Sequence, residues 1–441
     1  MGKIDSLLSK LLLIVLLALP LIFTSCSDDE DDQKTFSPEI IDLGMPTDTI
    51  VGQGDGFVIE PILNTQENIS YSWTINGKEI EAQNKYTFRA SETGEYKILY
   101  KAYNDFGFAL QEITINVRKY YGGFYMINEG PYSSIGSISY YNKNNQWDVR
   151  IFQNNNPGKT LGRTSTTGTI HNNKMYLVSK ESPFLVETEL YNFKQTSTIT
   201  EGIDGQAYNF CISNETTGVI TTNKGAYKVK LNPLSLDEKL EQTDGEARDI
   251  CQFKDNVFIV SNNNICVFKA SDMSFVKNLF ETKLSEQIMG FAQTKDGMLW
   301  ATTGTSFIKI DVSTLTTTQI PLPEGYNVSI ISGGYSPSGL CASTTENALY
   351  FIKAKGFSPS EAFKYNIDTN VITPLLSAPN GYMFYGSGLK VNPKTGNVYG
   401  IFNQNYSTTN QIIILDSKTE ETIKTIDYSG EFWFPTTITF D

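Results

Sequence analysis

The histidine content limits the chemistry that this chain can perform. His171 is the sole histidine among 441 residues. Ser-His-Asp triads, Cys-His pairs and most His-based metal sites need an imidazole as base or ligand. His171 itself precedes Asn172 and Asn173 at the end of an apolar stretch, a pattern typical of a surface turn rather than of a metal ligand. We therefore expect no metal centre and no catalytic triad.

Carboxylates supply the remaining candidates for acid–base chemistry. Those that fall between predicted strands are Glu129, Glu181, Asp204, Glu246, Asp249 and Glu431. Two of them at a suitable separation could act as acid and base in a glycosidase or a lyase. The alternative is that they are solvated loop charges or partners of Arg163 and Arg248. The sequence does not decide between these, because it does not give their separation.

Aromatic residues are concentrated in the same segments. The candidate ligand-binding residues are Tyr208, Tyr326, Tyr335, Tyr382, Tyr385, Phe432 and Trp433, together with the cations Arg163 and Arg248. Rings supply contact area at little entropic cost, and nearby Asn and Ser side chains set orientation, so this set favours a flat, uncharged, amphipathic ligand. The alternative for each ring is a packing role within the fold.

The cysteines beyond the N-terminal region are expected to be free thiols. Cys211, Cys251, Cys266 and Cys341 all lie within predicted strands. An even number of cysteines in an exported protein permits disulfides, but isolated cysteines in strands are more often buried thiols.

The overall composition is that of a folded, acidic protein. The chain is 40% hydrophobic and 19% charged, with a formal net charge of −13. Such a chain is too apolar for disorder, and it lacks the basic surface that would neutralise nucleic-acid phosphates. Nucleic acid is thereby excluded as an expected partner.

The N-terminus has the pattern of an export signal. Lys3 and Lys10 precede an apolar run over Leu11–Phe23, which is too short to span a bilayer of about 30 Å but suits a signal peptide. The run ends in Thr24-Ser25-Cys26, which resembles a bacterial lipobox. We expect residues 1–25 to be removed, Cys26 to be lipidated, and residues 26–37, rich in Asp and Glu, to form a flexible tether. The acidic run after Cys26 resembles the export signal of Gram-negative surface lipoproteins, which implies an outer-membrane protein facing the cell exterior and held to the membrane only by its lipid.

Residues 38–118 are predicted to form a small β-sandwich. The segments that begin at Tyr71, Lys85 and Gly94 alternate apolar and polar residues and are separated by turn residues. Trp73 is the expected core anchor. The YSWTING and SETGEY segments and the later YNDFG resemble the PKD-like, immunoglobulin-like modules of surface proteins, which implies a spacer role.

Residues 120–441 contain a repeat of about the length of a propeller blade. The unit is an apolar strand, a polar turn and a second apolar strand that ends in Ser, Thr or Asn, and it starts at Gly168, Phe210, Ile250, Phe291, Gly333 and Leu389. Most starts are separated by about 40 residues, the spacing of four-stranded β-propeller blades.

Six units are visible, and the two ends of this region complete a seventh. TTITFD at the C-terminus is a first strand without a second, and GGFYMINEG, which begins at Gly122, is a second strand without a first. Pairing them, with third and fourth strands starting at Ser137 and Asp148, closes the ring and removes free sheet edges. The predicted fold class is all-β: a seven-bladed β-propeller preceded by a small immunoglobulin-like sandwich.

The propeller region also carries a family resemblance. GGFYMINEG, SIGSISYYN, RIFQNNNPGKTLG and FWFPTTITFD resemble segments of the YncE-like propellers of surface lipoproteins, and within these the region is similar to the cobalamin-binding lipoproteins of TonB-dependent vitamin B12 uptake. The resemblance implies a non-catalytic protein that captures cobalamin or a related corrinoid, as ligand and not as cofactor, on the loop face of the propeller. It further implies handover to a TonB-dependent outer-membrane transporter. A glycan-binding lipoprotein of a polysaccharide-uptake system is the alternative, since aromatic rings also stack on sugars.

Overall fold

A computed structural model describes residues 36–131, 134–330, 335–430 and 434–441. The first domain consists of nine strands: β1 Ile40–Asp42, β2 Asp48–Gly52, β3 Gly56–Ile59, β4 Ile62–Leu63, β5 Ser70–Ile75, β6 Lys78–Ile80, β7 Tyr86–Arg89, β8 Gly94–Asn104 and β9 Gly107–Arg118. Five of them form a sheet in the order β2-β9-β8-β5-β6, in which β2 is parallel to β9. Pairs β3-β7 and β1-β4 complete the sandwich.

The core of this sandwich is aromatic. Trp73 is fully buried and its ring centroid lies 4.5 Å from that of Tyr100. The indole N–H donates a 2.7 Å hydrogen bond to the Gln83 carbonyl, which satisfies its only polar atom. The predicted anchor role of Trp73 is confirmed.

The rest of the described chain forms seven four-stranded antiparallel sheets. Their strands are β10 Phe124–Asn128, β11 Ser137–Tyr141, β12 Trp147–Asp148, β13 Ser165–His171, β14 Lys174–Ser179, β15 Leu185–Glu189, β16 Gln195–Ile199, β17 Ala207–Asn214, β18 Thr217–Thr222, β19 Gly225–Leu231, β20 Leu234–Leu240, β21 Ala247–Phe253, β22 Asn256–Ser261, β23 Asn264–Lys269, β24 Phe275–Asn278, β25 Met289–Gln293, β26 Leu299–Thr302, β27 Ser306–Asp311, β28 Thr316–Pro321, β29 Cys341–Ala342, β30 Ala348–Ile352, β31 Glu361–Asn366, β32 Val371–Ser377, β33 Tyr382–Val391, β34 Val398–Gln404, β35 Asn410–Leu415, β36 Thr422–Asp427 and β37 Pro435–Phe440. The protein is thus a seven-bladed β-propeller preceded by an immunoglobulin-like sandwich, as its sequence predicts.

The first blade is built from both ends of the propeller region. Its strand order is β12-β11-β10-β37, and β37 pairs with β10 in antiparallel register from Phe124 opposite Phe440 to Asn128 opposite Pro435. The predicted fourth strand of this blade is largely wrong. It is reduced to Trp147–Asp148, and the α-helix α1 covers Ile151–Asn155. The reason is packing, because Ile151 and Phe152 are buried in the interface with the next blade.

Threonine hydroxyls join neighbouring blades close to the axis. Thr166 Oγ1 donates to the Tyr208 carbonyl at 2.7 Å, and Thr221 Oγ1 donates to the Arg248 carbonyl at 2.6 Å. At the closing blade, Thr436 Oγ1 donates to the Ser165 carbonyl at 3.0 Å. Each bond links a hydroxyl of one blade to a backbone carbonyl of its neighbour.

The sandwich contacts one face of the propeller, which we call the module face. This face is formed by the turns between the first and second strands and between the third and fourth strands of the blades. Arg118 at the end of β9 pairs with Asp441 and donates to Asn173. Tyr191 Oη donates to Asn116 Oδ1 at 2.8 Å, and Lys143 Nζ lies 2.6 Å from Asp55 Oδ1. The sandwich is therefore attached to the propeller by side-chain contacts as well as by the chain itself.

The predicted signal segment, the predicted lipidation site Cys26 and most of the acidic tether lie outside the described residues. Within the described part of the chain, no helix has the length and apolar character needed to cross a membrane.

The Arg118–Asp441 pair should hold the two domains in a fixed arrangement. Its side chains are only 4% and 10% exposed, and removing one partner of a buried ion pair costs about 3–5 kcal/mol. We expect Arg118→Met to loosen the sandwich from the propeller, increasing the radius of gyration in small-angle X-ray scattering. The matched control is Lys143→Met, which breaks an exposed pair worth about 0–1 kcal/mol. Scattering of Arg118→Met identical to that of the wild type would contradict this role.

Candidate functional site

The face opposite the sandwich is formed by the loops between blades and by the turns between second and third strands, and we call it the loop face. The described members of the predicted set lie on these loops or at the adjoining strand starts: Arg163, Tyr208, Arg248, Tyr326, Tyr335, Tyr382 and Tyr385. Phe432 and Trp433 lie outside the described residues, as does the carboxylate Glu431.

Tyr208 and Tyr335 form a buried pair over the propeller axis. Their rings are stacked, with centroids 4.6 Å apart and an interplanar angle of 13°. The Tyr335 hydroxyl donates to Asp249 Oδ1 at 3.2 Å and accepts from Asn209 Nδ2 at 3.0 Å. Because the two residues are only 4% and 3% exposed, they form the floor of the loop face. Their burial matches the packing role that the sequence left open as the alternative for each ring.

Arg248 is neutralised beside this pair. Its Nε lies 3.0 Å from Glu246 Oε2, and the Arg248 side chain is 8% exposed. With the Gln287 amide oriented so that its oxygen faces the guanidinium, that oxygen accepts from Arg248 Nη1 at 2.9 Å. Arg163 is similarly placed 3.6 Å from Glu181, but both side chains are largely exposed. Pairing of the mouth carboxylates with the two arginines, which the sequence left open, is confirmed for Glu246 and Glu181.

A second cluster lies where the last blade meets the first. The Tyr385 hydroxyl donates to Glu129 Oε1, and the Tyr385 ring packs on Phe434 with centroids 5.3 Å apart. Tyr385 is brought there by a bulge in β33 between Phe384 and Leu389. Gly386 in this bulge has a φ of +60°, and a Cβ at that position would lie 2.1 Å from the Thr436 carbonyl oxygen. Only glycine allows the two strands to approach so closely.

Burial changes the pKa values of the charged groups in and near this second cluster. It raises the pKa of the Glu129 carboxyl, although the hydrogen bond from Tyr385 and the charge of Lys180 partly oppose the shift. Burial also lowers the pKa of the Lys180 amine; Glu129 opposes this shift and Arg248 adds to it. Lys180 thus interacts electrostatically with both clusters.

Two predicted residues belong to the packing between blades. Tyr326 meets Phe363 edge to face, with centroids 5.2 Å apart, and Lys353 Nζ lies 5.5 Å from the centre of the Tyr326 ring. Tyr382 packs, partly buried, against a core cluster that contains Phe384 and Phe402. Tyr326 and Tyr382 therefore have the packing role that the sequence left open as the alternative to ligand binding.

Sequence reasoning missed Lys180 and Gln287 as members of the site. The position of Lys180 in the blade repeat could have identified it. Glu129 and Lys180 each directly follow the second strand of a blade, β10 and β14, and the equivalent positions in the next two blades hold Asn223 and Asn262. Since second strands run toward the loop face, every residue at this position starts a turn on that face. Gln287 carries no comparable signal.

The loop face offers groups that can bind a ligand. It combines hydrogen-bond donors and acceptors with aromatic rings, of which Tyr382 and Tyr385 are partly buried and Tyr406 is 50% exposed. Its buried carboxylates, Glu129 and Asp249, already accept hydrogen bonds from tyrosines. His171 lies on the module face, 3.6 Å from Glu215. Within the described ranges no group of three or more His, Cys, Asp and Glu side chains could hold a metal ion, and the four cysteines there are free thiols.

The Glu129 carboxyl should make the stability of the protein depend on pH. A carboxyl whose pKa is higher in the folded than in the unfolded state stabilises the fold in acid, and this contribution is lost as pH rises through the folded pKa. Glu129→Gln keeps a neutral side chain at every pH. We therefore expect the Tm of Glu129→Gln to rise relative to that of the wild type between about pH 4 and about pH 7, measured by circular dichroism.

The control for this experiment is Glu181→Gln, which changes a carboxylate that is 47% exposed. Its Tm difference from the wild type should stay nearly constant over the same range. Parallel Tm curves for Glu129→Gln and the wild type would contradict the assigned burial effect.

Comparison with known proteins identifies the relatives of both domains. Residues 38–104 match a PKD-like domain. A quinoprotein alcohol dehydrogenase-like protein of Bacteroides thetaiotaomicron aligns with 92% of this chain and 99% of its own, at 18% identity and a TM-score of 0.56, which shows a shared fold. A virginiamycin B lyase of Staphylococcus aureus aligns with 60% of this chain and 84% of its own, at 14% identity and a TM-score of 0.45.

No curated protein matches the chain. Residues 122–441, which include all seven blades, match the family described as a domain of unknown function, DUF5074. The chain therefore belongs to the DUF5074 family, with a PKD-like domain before its propeller.

Proposed function

We propose that this protein is a non-catalytic, lipid-anchored cell-surface receptor that captures cobalamin or a related corrinoid on the loop face of its propeller. It passes this ligand to a TonB-dependent outer-membrane transporter. The proposal combines the sequence resemblance with the geometry of the loop face. The structural observation that carries it is the position of the sandwich.

The sandwich contacts the module face through Arg118, Asn116 and Asp55. Ligand and transporter therefore have access to the opposite side, where the loops between blades converge. A tether at the N-terminal end of the sandwich would join the lipid to the domain that lies away from the ligand. This polarity suits a receptor that presents cargo to a partner in the same membrane.

The chemistry of the loop face suits a ligand that is broad and edged by amides. A corrin ring carries neutral amide side chains, each of which both donates and accepts hydrogen bonds. Glu129 and Glu246 can accept such bonds, and Lys180 and Arg163 can donate them. The partly exposed Tyr385 ring offers an aromatic surface for the macrocycle. The pair Tyr208–Tyr335 is buried and has little surface with which to contact a ligand.

The test of this function is titration of the chain from Ser27 to Asp441, which retains both domains, with cyanocobalamin. Calorimetry should give one-to-one binding, and the red ligand should co-elute with the protein on gel filtration. Absence of binding would reject the corrinoid as the ligand and favour the alternative, a glycan. Slower migration in affinity gels that contain soluble polysaccharide would then support glycan binding.

Tyr385→Ala should weaken cyanocobalamin binding by about tenfold or more, the effect of losing a central aromatic contact. We expect the same of Trp433→Ala, because Trp433 belongs to the ligand-binding set predicted from the sequence. Phe275→Ala is the matched control, because Phe275 lies on the outer strand β24 and is 40% exposed. Its affinity should equal that of the wild type. Unchanged affinity in both Tyr385→Ala and Trp433→Ala, with all variants folded by circular dichroism, would remove the loop face as the binding surface.

A further inference from the structure

The propeller axis contains a cavity of about 360 Å³, which we call the axial cavity. Its size falls within the range of small-molecule sites, about 300–1,000 Å³. The first strands of the blades line it. The lining extends from Asp249 and Gly290, just below Tyr335, to Gln252 and Thr439, each one residue from the module-face end of its strand. The axial cavity is thus separate from the loop face, with the Tyr208–Tyr335 pair between them.

A lysine faces this cavity without a partner. Lys390 of β33 lines the cavity, and its amine makes no hydrogen bond or ion pair with any described residue. Burial lowers the pKa of the Lys390 amine, while Cys341 and Asp249 oppose the shift. Lys390 is half-buried, and an amine that faces a cavity without a protein partner is available to an anionic group of a ligand.

The other polar groups of the cavity do not fill this role. Asp249 accepts from the Gly290 N–H at 2.8 Å and from the Tyr335 hydroxyl at 3.2 Å, and it forms no ion pair with Lys390. The hydroxyl oxygens of two further lining residues, Thr167 and Thr437, are enclosed by protein and are not open to the cavity. Among the described residues, the cavity therefore offers the amine of Lys390 as its unpaired charged group.

Part of the remaining wall is apolar. Phe291, Leu340 and Ile438 line the same cavity, next to polar side chains such as Asn209 and Gln252. A bare inorganic ion would leave the apolar side chains against empty space or water, whereas a carbon skeleton would cover them. The complement of one amine and an apolar patch is an anion with a short hydrocarbon body.

We propose that the axial cavity is a second binding site, which takes a small organic carboxylate whose anionic group pairs with Lys390. The ligand enters from the module-face end, beside Gln252 and Thr439. Its hydrocarbon body contacts Phe291, Leu340 and Ile438. This site is independent of the corrinoid proposal and uses none of the residues assigned to it.

The test uses hexanoate, its neutral isostere hexanamide, and chloride as probes for the chain from Ser27 to Asp441. Hexanoate at millimolar concentration should raise the Tm of the wild type and give a saturable calorimetric signal. Hexanamide should bind at least tenfold more weakly, because it lacks the charge. Equal responses to hexanoate and chloride, or no response to hexanoate, would overturn the proposal.

Two variants assign the effect to Lys390. Lys390→Met should lose hexanoate affinity by at least tenfold. Lys394→Met, which changes an exposed lysine of the same blade, should bind as the wild type. Retained hexanoate binding in Lys390→Met would overturn the proposal. Cyanocobalamin titration of Lys390→Met should match the wild type, so failure of this site and failure of the corrinoid site are distinguishable.

A measurement on the wild type covers the case in which Lys390→Met does not fold. Cyanate carbamoylates neutral amines, and peptide mapping by mass spectrometry reports the modified lysines. Hexanoate should slow carbamoylation of Lys390 and leave that of Lys394 unchanged. Equal rates at Lys390 with and without hexanoate would also reject the site.

Discussion

Pairing of β37 with β10 is the constraint on which the rest of the structure depends. It closes the ring, so each blade packs between two neighbours and no sheet edge of the propeller faces a gap. The same pairing places the two ends of β37 on opposite faces. Its start brings Phe434 beside Tyr385 and Glu129, and its end brings Asp441 to Arg118. One strand thus builds the second cluster of the loop face and anchors the sandwich.

Burial disfavours the charged forms of two groups on the loop face, Glu129 and Lys180. Ring closure brings the Tyr385 hydroxyl to Glu129, and this hydrogen bond offsets only part of the cost of burying the carboxylate. Groups held in this way exchange hydrogen bonds with a ligand at little additional desolvation cost, because the protein has already removed much of their water. Burial of these two groups thus lowers the stability of the fold and also reduces the desolvation cost of binding a polar group.

Sequence patterns predicted the architecture well and the site only in outline. The blade count, the complementary end strands and the anchor Trp73 follow from periodicity and repeat spacing, which are local signals. The prediction of the fourth strand of the first blade was largely wrong, because α1 forms where Ile151 and Phe152 become buried against the next blade. Likewise, residue type alone did not show that Tyr208 and Tyr335 stack on each other, since residues 208 and 335 meet only after the ring closes. Contacts between distant blades depend on geometry that no local pattern contains.

The Tyr208–Tyr335 pair also decides how the two faces of the molecule relate. Its hydroxyl bonds tie Tyr335 to Asn209 and Asp249 on two different blades, so the pair is braced against the cavity below it. The pair thus separates the loop face from the axial cavity. Asp249 lies at the boundary, because it accepts from the Tyr335 hydroxyl, lines the cavity and interacts electrostatically with both Arg248 and Lys390. The two surfaces therefore present different side chains but share this carboxylate and the same first strands.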